Sequence, residues 1–326
     1  MLSDTKILPG NFEYFQPQTL ADALALLAQW GSRAKVLAGG TDLMVKMKRL
    51  LVEPECLVSV QDLPELHGVR QEQLDGQPAD GVAGGASPRR GEFETRPPDS
   101  LRQHALVIGA ATPLSLVEKN PLVRLHYSAL YEALRSMAAI AARNMGSIGG
   151  NLANASPAAD TAPPLIVLDA VLRLASARGG RTAPVETFFR GPGLSLLDVD
   201  ELIVEILLPP PKPQEGSAFL KLGRVSCDIS KINAAAWFQR EGGLCLDCRI
   251  AFGSVAPTPL RTPALENLLV GAQISEKLLH QVSSQAGAAI APIDDVRSTS
   301  RYRLEVAPVL LEEVLRTAWI RSGGVL

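Results

Sequence analysis

Two glycine-rich stretches carry the residue types that bind phosphate-bearing ligands. The first is "VLAGGTDLM" at residues 36–44, and the second is "RNMGSIGGNLANASPAADTAPPLIVLDA" at residues 143–170. Glycine lets the backbone approach a ligand without a Cβ atom in the way, and amides exposed at a turn attract anions. Neither stretch has the lysine of a Walker P-loop or the G-x-G-x-x-G spacing of a dinucleotide fingerprint, so motif matching alone does not identify the ligand.

The second stretch adds short polar side chains to its glycines. Gly146, Gly149 and Gly150 are positions where backbone amides would face a ligand, and Asp160 offers a carboxylate for ribose or ribityl hydroxyls. Further hydrogen-bonding side chains are those of Ser147, Asn151, Asn154 and Ser156. Each stretch on its own also fits an ordinary turn that needs glycine. Two of them in neighbouring α/β units favour a diphosphate-bearing cofactor that lies between them.

The elements that must position these stretches divide the chain into three segments. Residues 1–60 are predicted to be α/β, with a helix at "TLADALALLAQWG" capped by Thr19 and strands at "AKVLA" and "CLVSV". Residues 61–213 are predicted to contain a strand at 105–111, a helix from about 121 to 143, and strands at "LIVLDAVLRLAS" and "ELIVEILLP". The proline-rich "PPPKPQEG" is the clearest boundary.

The third segment, residues 217–326, is predicted to be a three-stranded antiparallel sheet followed by helices. The strands are "SAFLKLG", "INAAAWFQR" and "LDCRIAFGSV", and "EGG" suits the hairpin turn between the last two. Helices are expected near residues 276–290 and 301–321. The predicted fold class is therefore α+β, with two α/β subdomains and a C-terminal domain that combines the sheet with a helical bundle.

Composition and charge exclude several classes of function. The net charge is −2 with a pI of about 6.1, which gives no basic footprint for nucleic acid or an anionic membrane. No apolar run approaches the roughly 20 residues of a membrane span, and the N-terminus lacks the pattern of a signal peptide. Four scattered cysteines do not make a disulfide framework. A cytoplasmic protein is expected.

Three other features of the sequence could carry chemistry or contacts. Cys245 and Cys248 form a lone C-x-x-C within a strand pattern, which would place them on opposite faces and does not favour a metal or redox site. The four histidines show no ligand spacing: His67, His104, His126 and His280. Residues 77–100, rich in glycine, proline and charge, are expected to be a long surface excursion.

The two glycine stretches together resemble those of the FAD-binding subunit of the xanthine dehydrogenase and carbon monoxide dehydrogenase family of molybdenum hydroxylases. "AGGTDL" and "GSIGGNLANASPAAD" carry the resemblance, which continues in the same order through "FFRGPG", "DELIVEILLPPP", "FLKLGRVSCDIS", "AFGSVAPTPLRT" and "IDDVRSTSRYR". It covers nearly the whole chain.

This resemblance implies two FAD-binding subdomains of the vanillyl-alcohol-oxidase (PCMH) type and a set of FAD contacts. Asp160 matches the acidic contact, Met137 and Ile203 match apolar lining positions, and Lys221 matches a lysine near the isoalloxazine ring. A cation there would stabilise a reduced flavin, although the residue pattern alone also fits a solvated strand lysine. The pyrophosphate contacts fall on Val36, Leu37, Ala38, Gly39, Gly40, Thr41, Asp42 and Leu43, and on Gly146, Ser147, Ile148, Gly149, Gly150 and Asn151.

By the same resemblance the chain would be the FAD subunit of a heteromeric enzyme. A large partner subunit would carry molybdenum with molybdopterin cytosine dinucleotide, and a small partner would carry two [2Fe–2S] clusters, in a heterotrimer or a dimer of heterotrimers. Electrons would pass from the clusters through FAD to NAD⁺ or a quinone. No catalytic residue or metal ligand is expected in this chain.

Two alternatives remain open from sequence. One is a stand-alone flavin oxidase or dehydrogenase, which would need its own substrate cavity and acid–base groups. The other is a non-catalytic assembly subunit that has lost FAD, against which the intact glycines of both stretches argue. The substrate of the complex belongs to another chain and is not encoded here.

Overall fold

The computed structural model describes residues 8, 10–73, 104–225 and 227–326. The predicted surface excursion at 77–100 lies outside the described residues. The strands are β1 Glu13–Phe15, β2 Ala34–Leu37, β3 Cys56–Ser59, β4 Val69–Gln73, β5 His104–Gly109, β6 Val171–Ser176, β7 Gly179–Pro184, β8 Phe189–Gly191, β9 Leu194–Ser195, β10 Leu202–Leu208, β11 Glu215–Leu222, β12 Ile232–Glu241, β13 Leu244–Gly253 and β14 Leu260–Arg261. The α-helices are α1 Leu20–Trp30, α2 Leu43–Lys48, α3 Leu114–Lys119, α4 Pro121–His126, α5 Ser128–Ser136, α6 Ile140–Met145, α7 Ile148–Ala153, α8 Ala162–Val167, α9 Pro263–Glu266, α10 Glu276–Ser283 and α11 Ser300–Arg321.

The N-terminal unit is a parallel sheet, ordered β1-β3-β2, with α1 packed against it. As predicted, Thr19 caps α1, because its side chain accepts a hydrogen bond from the amide of Asp22 at 3.1 Å. The helix ends at Gly31, whose φ of 54° favours glycine. The buried face of α1 consists of Ala23, Leu24 and Leu27. The edge of this sheet leads into the first glycine-rich stretch.

The second unit is a five-stranded antiparallel sheet, ordered β4-β5-β10-β6-β7, covered by short helices. The prediction of one strand at "LIVLDAVLRLAS" was wrong in its first half, where α8 runs to Val167 and β6 begins only at Val171. Two prolines in the first turn of α8 start a helix, and complete burial removes the periodicity that separates helix from strand.

The long helix predicted from about 121 to 143 is also interrupted. It is divided into α4, α5 and α6, with breaks at Tyr127, whose ψ is 58°, and at Ala138, whose φ is +45°. A positive φ is uncommon for a residue with a Cβ atom and ends regular helix geometry. The side chain of Arg143 fills this turn, donating to the carbonyls of Met137 at 2.9 Å and Ala138 at 2.7 Å.

The C-terminal sheet has four strands, ordered β11-β12-β13-β14, rather than the predicted three. The fourth strand is the two-residue β14, too short to give an alternating pattern. Both faces of β12 are buried, since Ala235 and Trp237 join the core of the second unit while Ala234 and Phe238 join the core under α11. This double burial explains the unbroken apolar run "INAAAWF". The predicted helix at 276–290 ends at Ser283 as α10.

A β-bulge corrects the prediction for the C-x-x-C pair. The register between β12 and β13 shifts between Gln239 and Arg240, so that Leu246 is the extra residue of β13. One extra residue reverses the alternation, and Cys245 and Cys248 are consequently both buried in the C-terminal core instead of lying on opposite faces. Burial raises the pKa of the Cys248 thiol, which keeps it protonated.

Helix α5 joins the second unit to the C-terminal sheet. The carboxylate of Glu132 accepts a hydrogen bond from the amide of Phe219 at 2.9 Å and forms an ion pair with Arg321 at the end of α11. The amide of Ala129 donates to the hydroxyl of Ser217 at 3.2 Å. These bonds hold β11 alongside the second unit, so side chains from both can meet at one site.

Glu215, at the start of β11, is a partly buried carboxyl within this junction. It accepts a hydrogen bond from the indole of Trp237 at 3.0 Å, and desolvation raises its pKa to about 6. Lys212 and Arg249 lie 5.1 and 4.5 Å from the centre of the Trp237 ring, and their charges oppose the rise without cancelling it. Because the folded protein holds a proton here more tightly than the unfolded chain does, stability decreases as pH rises from 4.5 to 6.

We expect Glu215→Gln to stabilise the protein above pH 6 and to have no effect near pH 4.5, since the amide copies the protonated form. The gain in free energy of unfolding should be about 1–2 kcal/mol at neutral pH. Thermal unfolding of the variant and the natural chain across this range measures it. The same change at exposed Glu241 is the control. A difference between Glu215→Gln and the natural chain that does not vary with pH would contradict the assignment.

Candidate functional site

The two glycine-rich stretches meet in the fold, as the sequence predicts. We call residues 38–42 the first loop and residues 146–161 the second loop. A Cβ atom on Gly39 would lie 1.6 Å from the carbonyl oxygen of Met145 and 2.9 Å from the amide nitrogen of Gly146. Only glycine permits such an approach between two backbones. A Cβ atom on Gly146 would lie 3.4 Å from the hydroxyl of Thr41.

The first loop presents a run of unused backbone donors. In the part of the chain that the structure describes, the amides of residues 39–43 donate to no protein acceptor, whereas the next amide, that of Met44, donates to the carbonyl of Gly40 at 3.1 Å. Gly40 has a φ of +70°, which turns the chain from β2 into α2. We call these five donors the amide cradle. Consecutive free amides at such a turn make a concave site for an anion.

The second loop is built differently, and here the sequence-based expectation was wrong. The amide of Gly149 donates to the carbonyl of Ala110 at 2.8 Å, and the amide of Gly150 donates to the hydroxyl of Ser147 at 3.1 Å. Asn151 donates its amide to the carbonyl of Ser147 at 3.0 Å. These amides cap and form α7, so they do not stand open to a ligand as those of the first loop do.

The two glycines of α7 have different surroundings. A Cβ atom on Gly149 would lie 2.6 Å from the Cβ atom of Ala110, so this glycine is required for packing on the second unit. Gly150 is exposed, and its nearest neighbour would be the hydroxyl of Ser147 at 2.9 Å. Gly150 therefore lies at the surface with the Ser147 hydroxyl as its close neighbour, while Gly149 fixes the position of α7.

Asn154 ties the two loops together through its side chain. Its amide nitrogen donates to Asp42 at 3.1 Å, and its oxygen accepts a hydrogen bond from Lys46 at 2.6 Å. Asp42 ends the first loop and Lys46 lies one turn into α2. The bridge thus holds the amide cradle in position against the second loop.

The far end of the second loop carries a buried ion pair. Asp160 and Lys221 lie 2.7 Å apart, and their side chains are only 7% and 6% exposed. Lys221 is therefore not a solvated strand lysine. Asn233 donates to the other oxygen of Asp160 at 3.1 Å. Burial raises the pKa of Asp160, while the charge of Lys221 and the two hydrogen bonds lower it.

The two predicted apolar contacts, Met137 and Ile203, belong to the core of the second unit. They are 7% and 6% exposed, respectively. Ile203 lies on β10 beside Val204, whose carbonyl accepts from Ala110, the residue on which Gly149 packs. Met137 ends α5 at the turn that Arg143 fills.

The remaining predicted contacts lie where the elements meet. Val36 and Leu37 end β2, Leu43 begins α2, and Ile148 begins α7. Ala38 is partly buried against the hydrophobic core of the N-terminal unit. The side chain of Asn151 accepts a hydrogen bond from Thr161 at 2.6 Å, next to Asp160.

Sequence reasoning missed two functional candidates. Asn233 stands alone among apolar residues in "INAAAWF", and an isolated polar residue in a buried strand is a signal, because such a group needs a partner. Arg143 precedes the second loop directly and gave no signal of its own, since its 7% exposure depends on the broken helix. Arg224 and Asp228 form an ion pair at 2.8 Å.

The described residues contain neither a metal-binding cluster nor a membrane-spanning helix. Within 10–73, 104–225 and 227–326, no group of three or more histidine, cysteine, aspartate or glutamate side chains is arranged to hold a metal ion. None of the helices in those ranges combines the length and apolar character needed to cross a bilayer.

Comparison with known proteins identifies the fold and the family. The family described as "FAD binding domain in molybdopterin dehydrogenase" matches residues 10–76 and 100–211. The family described as "CO dehydrogenase flavoprotein C-terminal domain" matches residues 217–318. Among solved structures, a chain of carbon monoxide dehydrogenase from Hydrogenophaga pseudoflava superposes with a TM-score of 0.83 at 32% identity, covering 97% of this chain and 99% of that one.

Curated relatives agree over the whole length. The carbon monoxide dehydrogenase medium chain of Hydrogenophaga pseudoflava is 31% identical over 317 residues, which is 97% of this chain and 100% of the relative. The xanthine dehydrogenase FAD-binding subunit of Escherichia coli O157:H7 is 32% identical over 315 residues, covering 96% and 98%. The chain therefore belongs to the family of FAD-binding subunits of the carbon monoxide dehydrogenase and xanthine dehydrogenase type of molybdenum hydroxylase, and it is an oxidoreductase subunit.

Proposed function

We propose that this chain binds FAD non-covalently and serves as the electron-output subunit of its complex. The amide cradle is the observation that carries the proposal. Five consecutive backbone donors at residues 39–43 lie free at a glycine turn, held against the second loop by Gly39 and Asn154. Donors in this number and order suit a ligand with clustered negative charge, and the pyrophosphate of FAD is such a group.

The other predicted contacts fit the remaining parts of FAD. The buried pair of Asp160 and Lys221 offers a carboxylate for ribityl or ribose hydroxyls and a cation for negative charge on the flavin ring. Met137 and Ile203 supply apolar surface. Gly150 adds an exposed position without a side chain in the first turn of α7. These residues bind and orient the cofactor, and the low exposure of Asp160 and Lys221 excludes water from their contact.

When bound, FAD supplies a carrier that accepts electrons singly and releases them in pairs. This property suits a subunit placed between one-electron clusters and a two-electron acceptor. The molybdenum cofactor and two [2Fe–2S] clusters would be held by a large and a small partner subunit, and the acceptor would be NAD⁺ or a quinone. The support for partners is that the relatives are a medium chain and an FAD-binding subunit of dehydrogenases.

Expression of the full chain, alone and with its two partner subunits, tests this proposal. We expect a flavin absorbance spectrum from the chain alone, release of FAD on denaturation, and co-purification with both partners. A colourless chain that does not take up added FAD would refute the FAD assignment. A chain that binds FAD but neither partner would instead support the stand-alone flavoenzyme.

Replacement of the two α7 glycines should separate binding from folding. We expect Gly150→Val to abolish FAD binding while destabilising the protein less than Gly149→Val, because position 150 is exposed and its close contact is the end of one side chain, the Ser147 hydroxyl. Gly149→Val should destabilise the protein by several kcal/mol, since it overpacks against Ala110. FAD titration and thermal unfolding measure the two effects, with Gly287→Val as the control. Full FAD affinity in Gly150→Val would contradict the placement.

Loss of the inter-loop bridge should weaken FAD binding moderately. Asn154→Ala removes the bonds to Asp42 and Lys46, so the cradle loses its fixed position. We expect FAD affinity to fall roughly tenfold, or about 1.4 kcal/mol, because the change loosens the cradle without removing a bond to the cofactor itself. Exposed Asn267→Ala is the matched control. Unchanged affinity in Asn154→Ala would show that the cradle is held without this bridge.

A further inference from the structure

A row of three paired residues crosses the C-terminal sheet beneath Asp160. Lys221 on β11 pairs with Asn233 on β12, and Asn233 pairs with Gly253 on β13. Lys221 and Asn233 each contact one oxygen of the Asp160 carboxylate, at 2.7 and 3.1 Å. Two side chains of the C-terminal sheet thus bind the two carboxylate oxygens of Asp160.

Neighbours on two sides, Gly253 and Asp160, fix the position of the Asn233 side chain. A Cβ atom on Gly253 would lie 2.4 Å from the side-chain oxygen of Asn233. The Asn233 amide therefore fits only because position 253 is glycine. Because a carboxylate only accepts hydrogen bonds, the amide nitrogen must face Asp160. The amide oxygen is then buried and has no hydrogen-bond partner among the described residues. An arrangement that leaves a buried polar atom unpaired costs stability and is retained where it serves another purpose.

The charge of Asp160 is influenced by one neighbouring charged group among the residues that the structure describes. Among the described residues, Lys221 is the charged group that contacts it, and the second contact is Asn233. A backbone hydrogen bond also joins the C-terminal sheet to the second loop near Asp160. The amide of Ser254, next to Gly253, donates to the carbonyl of Pro157 at 2.8 Å. The orientation and charge of Asp160 therefore depend on the C-terminal sheet.

We infer that Asn233 is a positioning residue of the cofactor site, which holds the Asp160 carboxylate ionised and turned toward the cofactor. This inference rests on the proposed FAD function and adds to it a residue that touches Asp160 rather than the flavin. Its physical basis is that a hydrogen bond to the charged form of an acid favours that form. Without Asn233, Asp160 keeps a single partner and takes up a proton at higher pH.

The test is the pH dependence of FAD affinity, measured by fluorescence titration of the full chain freed of its flavin. In the natural chain, affinity should fall on acidification as Asp160 takes up a proton. In Asn233→Leu, which keeps the branched shape of the side chain but is larger and cannot donate a hydrogen bond, we expect this fall to begin at a higher pH and affinity at mildly acidic pH to be about tenfold lower. The reduction potential of the bound flavin should shift in the same variant, since the local charge has changed.

Three further variants make the outcome decisive. Gly253→Ala pushes the Asn233 amide aside and should move the profile in the same direction, which keeps the test available if Asn233→Leu folds poorly. Ser230→Ala, which removes a buried hydroxyl without a hydrogen-bond partner, should leave the profile unchanged. In an Asp160→Asn background, Asn233→Leu should no longer move the profile.

The outcomes distinguish this inference from the function on which it rests. If the natural chain binds no FAD, the proposed function fails. If the natural chain binds FAD and Asn233→Leu weakens binding equally at every pH without a shift in potential, Asn233 has only a structural role. In that case the positioning inference is overturned, although FAD binding stands.

Discussion

The contact between two backbones at Gly39 is the constraint on which the site depends. The first loop can lie against the end of α6 only because position 39 has no Cβ atom, which would stand 1.6 Å from the carbonyl oxygen of Met145. This contact brings a parallel-sheet unit and an antiparallel-sheet unit within hydrogen-bonding distance, so that Asn154 can reach Asp42 and Lys46. The Met145 carbonyl oxygen lies beside the Cα atom of Gly39, and within the described residues it accepts from none of the cradle amides.

The sequence contains most of the fold because its strongest local signals agree with the tertiary structure. The cap at Thr19, the terminating Gly31 and the long α11 appear where periodicity and capping residues put them. Predictions failed where burial on all sides removed periodicity, as in α8, or where a single residue changed the geometry. Ala138, with its positive φ, ends a helix without a sequence signal, and the bulge at Leu246 reverses the facing of Cys245.

The site was predictable as a pair of loops but not in the role of each. Glycines in both stretches suggested two equivalent sets of amides, whereas in the structure the first loop supplies free donors and the second supplies a packed support. Which amides are free depends on whether an acceptor lies nearby. The carbonyl of Ala110, which accepts the hydrogen bond from the Gly149 amide, belongs to a residue far away in sequence. Hydrogen-bond satisfaction is a tertiary property, so residue type alone does not reveal it.

The polar end of the site joins the second loop to the C-terminal sheet. A buried ion pair such as Asp160 with Lys221 gains little net stability, because removing both charges from water offsets most of their attraction. The pair is tolerable only if other bonds satisfy the carboxylate, and Asn233 on the adjacent strand does so. Since Lys221 and Asn233 both belong to the C-terminal sheet, the second loop would carry an uncompensated buried carboxylate without that sheet. The C-terminal sheet therefore contributes both to the junction with the second unit and to the polar end of the proposed cofactor site.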